Sequence, residues 1–401
     1  MSRRILVTDG NERAALALVR SLGRAGHEVR VTAPRVPSLA GASRYAFADV
    51  PVPDPLEAPG AYRDAIRRLI DEEKTHVLVP ISEASLLSLL PLQGTVDGLT
   101  LPFTTIDRFL RICDKREVLA AAPEVGIATP HQTVLESAGD LHRPGGGVAL
   151  PVVVKPARSI VGDADQLHKT RVRHARTMDE LREIVCSTPT RGFPLLLQRP
   201  VRGPGVGVFL LVWEGDVLAA FCHRRIREKP PSGGVSVFRE SIPLGAGLLH
   251  RSRRLLERFD WQGVAMVEYK IDAETGIPHL MEVNGRFWGS LQLAVDSGVD
   301  FPSLLVAAAC GESLRPELGY RTGVRSRWWW GEVDHLVGVL RNGGDGARGQ
   351  AGNGARASSW GAGRSALRGW LTPGRNEILR WRDPRPFIQE TARWLEHVRG
   401  R

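Results

Sequence analysis

Along the first 90 residues, short apolar runs alternate with longer stretches in which apolar residues recur at helical spacing. The predicted elements are strands at Arg4–Thr8, Glu28–Thr32 and His76–Pro80, helices at Arg13–Ala25 and near Ala61–Glu73, and another helix after Ser82-Glu83. Strands that alternate with helices in this way form parallel sheets through crossover connections. The chain is therefore expected to begin with an α/β unit.

The turn between the first strand and the first helix contains a single glycine, Gly10. A dinucleotide-binding turn has the pattern G-x-G-x-x-G, which lets the backbone approach a pyrophosphate. The sequence therefore predicts a Rossmann-like half-domain without this loop, and an NAD-dependent enzyme is not expected.

A different pattern, two apolar runs around a turn, predicts a β-hairpin over residues 264–284. If its loop runs from Asp272 to Pro278, Glu268 lies directly across from Glu282. The hairpin would then place two carboxylates side by side.

Glu282, Asn284 and Arg286 are expected to share one face of the second strand, because side chains alternate with a period of two. Two carboxylates and an amide oxygen form a hard, oxygen-only site of the kind that Mg²⁺ uses when it also bridges phosphates. The arginine can neutralise charge that develops in phosphoryl transfer. The alternative is a solvated strand face on which Lys270 and Arg286 are counter-ions.

The string E-V-N-G-R-F, with a second glutamate 14 residues before its first residue, resembles the metal-binding hairpin of the ATP-grasp superfamily, which includes biotin carboxylase and D-alanine ligase. The resemblance covers roughly residues 1–315. It implies an ATP-grasp fold, α/β overall and α+β in the nucleotide lobes, with an N-terminal Rossmann-like pre-ATP-grasp domain at 1–110. The nucleotide-binding and catalytic domain would span 111–315, with a lid lobe at about 111–197. Its implied metal ligands are Glu268, Glu282 and Asn284, for Mg²⁺ or, in its place, Mn²⁺.

Two lysines fit the same resemblance. Lys115 follows Asp114 in a predicted helix, and Lys155 ends the β-branched run at 151–156. By itself, a lysine at a strand end is commonly solvated. The resemblance implies that both lysines bind the phosphates of ATP, for which a point charge is suitable. Most relatives also have a glycine-rich loop over the phosphates, whereas residues 157–169 contain only Gly162.

A strand that enters a Gly/Pro-rich segment is predicted at residues 192–208. The resemblance makes this segment the linker between the nucleotide lobes. Gln198, Arg199, Pro200 and Val201 would then contact the adenine. An ordinary strand and turn is the alternative.

Residues 223–241 combine a run of basic side chains with a loop that contains Gly233 and Gly234. A solvated hairpin is one interpretation. Beside a nucleotide, the same strand could bind an anionic substrate and the transferred phosphoryl group. His223 and Arg225 have the same parity and are predicted to face inward, away from Arg224.

Within the superfamily, the motifs are similar to those of the carbamoyl-phosphate-synthase-like carboxylate–amine ligases. The resemblance implies that a carboxylate is activated by ATP as an acyl phosphate and is attacked by an amine or a thiol, with release of ADP and phosphate. Arg286, Arg225 and His223 would be the catalytic side chains. The expected partners are small-molecule carboxylate and amine substrates, and a homo-oligomer is left open. The alternative is a nucleotide-binding regulatory or scaffolding protein without ligase turnover.

The net charge of +10 is concentrated at one end of the chain: residues 321–401 contain fifteen arginines against seven acidic residues. No helix-turn-helix, zinc-finger or RNP pattern accompanies this charge, so no specific nucleic acid is expected. The chain has no run of 18 apolar residues and no signal-peptide core, and its four cysteines match neither a disulfide framework nor a metal-ligand spacing. A cytoplasmic protein is expected.

Residues 316–401 form a basic, Trp-rich segment that begins near Trp328-Trp329-Trp330. A Gly/Ala/Arg/Ser-rich linker is predicted at about 342–364, followed by short helices at Asn376–Arg382 and Pro386–Val398. These helices could pack on the catalytic core, make weak contact with an anionic membrane surface, or bind a partner.

Overall fold

The computed structural model describes residues 2–142, 148–230, 234–341 and 372–399. The α-helices in these ranges are α1 (Arg13–Arg24), α2 (Pro59–Glu73), α3 (Glu83–Leu89), α4 (Ile106–Cys113), α5 (Lys115–Ala121), α6 (Met178–Cys186), α7 (Ala246–Glu257), α8 (Leu291–Ser297), α9 (Phe301–Ala309), α10 (Trp329–Arg341) and a C-terminal helix (Arg385–Arg399). Short 3₁₀ helices lie at Leu90–Leu92, Ala122–Val125, Ala138–His142 and Thr190–Gly192.

The strands are β1 (Arg4–Val7), β2 (Glu28–Ala33), β3 (Ala48–Pro51), β4 (Val77–Val79), β5 (Gln132–Leu135), β6 (Val152–Pro156), β7 (Ile160–Gly162), β8 (Leu167–Lys169), β9 (Arg173–Ala175), β10 (Leu195–Gln198), β11 (Gly205–Trp213), β12 (Asp216–Lys229), β13 (Val235–Ser241), β14 (Gly263–Ile271), β15 (Pro278–Asn284), β16 (Arg325–Arg327) and β17 (Arg375–Asn376). The strand and helix pattern predicted for the N-terminal region is confirmed, with shifts of one or two residues at the ends.

The first sheet is parallel, in the order β3-β2-β1-β4. Helix α1 packs against β2 on one side and against α8 and α9 on the other. This double packing explains why every residue of α1 from Ala14 to Leu22 is buried. Helix α1 therefore joins the N-terminal sheet to the rest of the molecule.

A second, antiparallel sheet has the order β5-β10-β6-β9 and a core of its own, to which α6 contributes Leu181 and Val185. Beside it, β7 and β8 form a hairpin that packs on α3 through Ile160, Leu167 and Ala84. Gly162 in this hairpin has φ 143°, and a Cβ there would lie 2.2 Å from the carbonyl oxygen of Gln166. A side chain is therefore excluded at this position.

The largest sheet contains seven strands in the order β15-β14-β11-β12-β13-β16-β17. Its pairs are antiparallel except for β16 and β17. The buried strands β11 and β14 form the centre of the main core together with aromatic side chains of the following segment, Phe287, Trp288 and Phe301. The edge hairpin β14–β15 is thus fixed to a rigid sheet.

The prediction of a helix at 376–382 is wrong. Asn376 pairs with Arg327 at the edge of the seven-stranded sheet. Its side-chain oxygen accepts hydrogen bonds from the backbone N–H groups of Ile378 and Leu379, at 2.8 Å each. Such local side-chain contacts compete with helical hydrogen bonds and favour a turn.

A buried ion pair attaches this turn to α1. Arg20 Nε donates to Asp383 Oδ2 at 2.8 Å, and the two side chains are only 2% and 3% exposed. The guanidinium also donates to the carbonyl oxygens of Glu377 and Ile378. Because both charges are buried, loss of one partner is expected to cost about 3–5 kcal/mol.

The second predicted C-terminal helix is confirmed, and its contacts are with the core. The rings of Trp330 and Trp394 stack with centroids 4.2 Å apart, and Trp328 Nε1 donates to Glu390 Oε1 at 2.6 Å. Trp381, by contrast, is 93% exposed. The predicted linker at 342–364 lies outside the described residues.

In the described ranges, no single helix has the length and apolar character needed to cross a membrane. One pair, Leu291–Ser297 with Phe301–Ala309, passes that test together but is bent by 93° at the break between its two helices.

Candidate active site

The hairpin β14–β15 brings Glu268 opposite Glu282, as the sequence predicted. The register arises differently from the prediction, because Ile271 rather than Asp272 pairs with Pro278. Tyr269 pairs with Leu280 and Glu268 pairs with Glu282, so Met281 has no partner on β14. This shift in register places Glu268 opposite Glu282 after all. The two carboxylates therefore depend on a β-bulge, a device that commonly redirects side chains near functional sites.

The predicted strand face is also present. Asn284 Nδ2 donates to Glu282 Oε1 at 3.1 Å, and Arg286 Nη2 donates to Asn284 Oδ1 at 3.2 Å. A second nitrogen of Arg286 donates to the carbonyl oxygen of Phe287. These hydrogen bonds link the side chains of Glu282, Asn284 and Arg286 into one row.

Lys115 extends from α5 to this row of side chains. The helix is capped by Asp114, which accepts a hydrogen bond from the Arg116 backbone, so Lys115 occupies its first position. Lys115 Nζ lies 3.5 Å from Glu282 Oε2 and donates to Ser159 Oγ at 3.0 Å. The ammonium thus connects the carboxylate hairpin to the segment that precedes β7.

Lys155 approaches from β6 in the four-stranded antiparallel sheet, with its Nζ 4.0 Å from Met281 Sδ. Burial lowers the pKa of Lys155, and the charges of Glu282 and Glu268 oppose that change. The Lys155 side chain therefore faces the hairpin, unlike that of a lysine at a solvated strand end.

The two carboxylates differ in their electrostatics. Burial alone would raise the pKa of Glu282, but Lys115, Lys155 and the hydrogen bond from Asn284 outweigh it and lower the pKa to about 2. The pKa of Glu268 is raised by burial and by the charge of Glu282, although Arg225 opposes the rise. Two carboxylates that repel each other in a partly buried site favour a cation between them.

Arg225 and His223 both face inward, as their parity predicted. Arg225 Nη2 donates to Glu268 Oε2 at 2.5 Å, and Nη1 donates to Glu228 Oε1 at 2.9 Å. These carboxylates raise the pKa of Arg225 in spite of its burial. Arg224 points to the other face, where it pairs with Glu240.

His223 lies in the same cross-strand row as Glu268, with Gly207 between them. Its Nε2 is 2.9 Å from Ser290 Oγ, and its ring packs on Phe209 at 4.8 Å between centroids. Burial, together with Arg239 and Arg225, lowers the pKa of His223 well below its usual value. A neutral imidazole is therefore expected at this position.

The predicted adenine contacts lie on the strand end and linker between the two sheets. Gln198 is buried, and its Nε2 donates to Gln132 Oε1 at 2.9 Å. The backbone N–H of Arg199 donates to the carbonyl oxygen of His131. Pro200 and Val201 follow, and the carbonyl oxygen of Val201 accepts from Lys270 Nζ at 3.4 Å. The adenine contact itself stays a prediction.

Lys270 and Glu83 are site residues that the sequence reasoning did not assign. Lys270 shares a sheet face with Glu268 and its charge acts on Lys155, so three of the six lysines of the chain lie near this hairpin. The charges of Arg286 and Lys115 act on Glu83, the first residue of α3. The position of Glu83 in the connection from a parallel strand to its helix was the available signal.

Among the described residues, no three His, Cys, Asp or Glu side chains form a cluster that could hold a metal ion. A cation between Glu268 and Glu282 would need further oxygens, from Asn284 and from phosphates. Mg²⁺ commonly uses such a mixed set. The carboxylate pair and its mutual repulsion fit this ion.

Comparisons with known proteins agree with the architecture. The family model described as ATP-grasp in the biosynthetic pathway with Ter operon matches residues 193–329. No curated protein matches the chain significantly.

Three solved structures illustrate the similarity. L-amino acid ligase from Bacillus licheniformis has a TM-score of 0.61 and 18% identity, over 79% of this chain and 78% of that chain. A biotin carboxylase complex with β,γ-ATP from Campylobacter jejuni has a TM-score of 0.63 and 14% identity, over 81% and 74%. N5-carboxyaminoimidazole synthetase from Staphylococcus aureus complexed with ADP has a TM-score of 0.61 and 13% identity, over 80% of each chain. The chain has the ATP-grasp fold, as its hairpin motif predicted.

Proposed function

We propose that the protein is an ATP- and Mg²⁺-dependent ligase that activates a carboxylate as an acyl phosphate for attack by an amine or another nucleophile, with release of ADP and phosphate. The observation that carries the proposal is that a second carboxylate, an ammonium group and an amide surround Glu282. This carboxylate faces Glu268 across the hairpin, pairs with Lys115 and accepts a hydrogen bond from Asn284. These groups are the ones that a metal-bound triphosphate requires.

Two lysines beside the hairpin would bind the nucleotide. Lys115 approaches the hairpin from α5 and Lys155 approaches it from β6, so a triphosphate there would meet two positive charges. Mg²⁺, held by Glu268, Glu282 and Asn284, would neutralise phosphate charge during transfer. Adenine would bind at the interlobe segment Gln198–Val201.

The two arginines would act on the carboxylate substrate. Arg286 lies at the end of the metal-binding face and would stabilise the transferred phosphoryl group and the tetrahedral intermediate. Arg225 contacts Glu268 and would attract an anionic substrate to the metal. His223, the third side chain predicted to be catalytic, would contribute a neutral imidazole beside Arg225, because its ring is buried and lies against Ser290.

The names of the similar structures support this reaction class, since they include an L-amino acid ligase and an N5-carboxyaminoimidazole synthetase. We further propose a domain division at residues 1–110, 111–315 and 316–401, with small-molecule carboxylate and amine substrates. A cytoplasmic location, and weak contact of the basic C-terminal segment with membrane surfaces, are part of the same proposal.

An ADP-release screen of the purified protein with ATP, Mg²⁺, small carboxylates and amino acids, each with and without added amines, tests this function. We expect ADP release that requires a particular carboxylate and Mg²⁺. Binding of ATP without turnover in any combination would support the regulatory alternative instead.

A further inference from the structure

A cavity of about 430 Å³ lies between the four-stranded antiparallel sheet and the β7–β8 hairpin. Small-molecule sites are commonly concave pockets of roughly 300–1,000 Å³, lined mainly by apolar side chains with a few polar groups. The cavity has this size and this character. The apolar part of its lining consists of Val154, Pro156, Val161, Ile184 and Leu195.

The cavity is separate from the candidate active site. Along β6, Val154 and Pro156 alternate with Lys155, so they point to the opposite face of the sheet from the one on which Lys155 approaches Met281. Val154 belongs to the core to which α6 contributes. A ligand in the cavity would therefore lie on the other side of β6 from the nucleotide phosphates proposed above.

The β7–β8 hairpin supplies one wall of the cavity. Ile160 and Leu167 pack on α3, whereas Val161 and His168, which pair directly across the hairpin, border the cavity. Side chains alternate between the two faces of a strand. The hairpin thus uses one face to pack on α3 and the other to line the cavity.

The charged part of the lining is entirely cationic. Arg173 on β9 pairs with Val154 on β6, so its side chain leaves the sheet on the face of the cavity, where its Nη1 donates to Ser187 Oγ at 2.8 Å. Three more cations border the cavity from the segments on either side, and no carboxylate is part of the lining. These cations are Lys169, Arg171 and Arg191.

The four cations form no ion pair within the described part of the chain. The charge of Arg191 acts on Asp163 in the β7–β8 turn, but that carboxylate already accepts hydrogen bonds from the backbone N–H groups of Asp165 and Gln166. Like charges around one cavity repel each other, and a bound anion would relieve this repulsion. The lining therefore favours a ligand with both an apolar and an anionic part.

We propose that this cavity binds an amphipathic organic anion. Its apolar part would contact Val154, Ile184 and Leu195, and its phosphate or carboxylate head group would lie among the cations of the lining. Arginine suits this role, because its planar guanidinium binds both kinds of oxyanion through two parallel hydrogen bonds. The site is additional to the nucleotide site and does not depend on the ligase function.

Calorimetric titration of the full-length protein with octyl phosphate and with octanoate tests the proposal. We expect saturable binding of at least one of these probes to a single site. Inorganic phosphate and octan-1-ol each lack one half of the probe and should bind about 10-fold more weakly or less. Excess ADP and Mg²⁺ should leave the affinity for the probe unchanged, because the cavity lies on the opposite face of β6 from Lys155.

The double variant Arg171→Gln/Arg173→Gln should weaken binding of the probe about 10-fold or more, since two charged contacts are lost. Both side chains are exposed, so the melting temperature should stay close to that of the wild type. The matched control is Arg182→Gln. Arg182 is an exposed arginine of α6 that pairs with Asp179 and does not line the cavity, and its loss should not change the affinity.

Four results would overturn the proposal. They are the absence of saturable binding for both probes, equal affinity for octan-1-ol, displacement of the probe by ADP, and equal weakening in Arg182→Gln and the double variant. Displacement by ADP would place the probe in the nucleotide site, and equal weakening would show attraction to the basic surface in general. The ADP-release screen involves neither probe, so the ligase function and this inference fail independently.

Discussion

Arg225 and Glu268 form an ion pair diagonally across β11, with 2.5 Å between Nη2 and Oε2. The strand between them carries Gly205, where a Cβ would lie 2.9 Å from Arg225 Cδ. The glycine therefore gives the guanidinium room to reach the carboxylate. A cation that binds Glu268 must compete with this arginine, which would then be free to contact an anionic substrate.

Arg225→Gln is expected to lower turnover about 100-fold, the usual effect of removing one preorganised donor from a reacting site. The Mg²⁺ concentration for half-maximal ADP release should stay the same or fall, because a competitor for Glu268 is removed. Titration of ADP release with Mg²⁺ measures both quantities. Arg224→Gln is the control, since Arg224 lies on the opposite sheet face. A higher Mg²⁺ requirement in Arg225→Gln would contradict the competition.

Glu282→Gln should abolish Mg²⁺-dependent ATP turnover while the protein stays folded. The substitution removes one charge from a two-carboxylate site and changes almost no volume, so a hard cation is weakened strongly, by about 100-fold or more. ADP release and thermal melting of the purified variant are the measurements. Glu274→Gln, in the exposed turn of the same hairpin, is the matched control. Near-normal ADP release by Glu282→Gln at ordinary Mg²⁺ concentrations would refute the metal assignment.

Changing Lys115 or Lys155 to methionine should weaken ATP binding about 10- to 100-fold, because a charged contact to phosphate is lost. The effect on AMP should be smaller, since AMP lacks the β and γ phosphates. Calorimetric titrations with the two nucleotides measure the difference, with the exposed Lys169→Met as control. Equal losses for ATP and AMP would indicate misfolding or another role.

The hairpin site was predictable because its elements are local. Glu268 and Glu282 belong to one hairpin. Strand periodicity and a turn were therefore enough to predict that they lie opposite each other. The sequence did not predict that Met281 would be skipped, because the bulge depends on how β14 pairs with β15 in the assembled sheet. The parity of Arg225 and Arg224 was likewise correct, because it needs only a regular strand at that point.

Long-range contacts account for what the sequence reasoning missed. Glu83 was noted only as a residue before a helix, since its approach to Arg286 spans about 200 residues of chain. The segment after Asn376 was predicted as a helix from its apolar spacing, but the pairing of Asn376 with Arg327 overrides that preference. In the second case tertiary contacts outweigh the local pattern.

Glu390 of the C-terminal helix is expected to make the stability of the folded protein dependent on pH. Burial raises its pKa from 4.5 to about 7, although the hydrogen bond from Trp328 and the charge of Arg13 oppose the rise. Its Oε2 is buried without a hydrogen-bond partner among the described residues. Between these two pKa values the folded protein binds the proton and the unfolded chain does not. Stability should therefore fall as pH rises from 4.5 to about 7 and then level off.

Glu390→Gln should remove this dependence, because a neutral amide keeps the oxygen that accepts from Trp328 Nε1 without a buried charge. Relative to the wild type, the variant should gain about 2–3 kcal/mol of unfolding free energy between pH 5 and pH 8. Denaturant titrations at several pH values measure the gain, and Glu396→Gln at an exposed site of the same helix is the control. A stability difference between Glu390→Gln and the wild type that is constant over this range would show that Glu390 does not titrate in the docked helix.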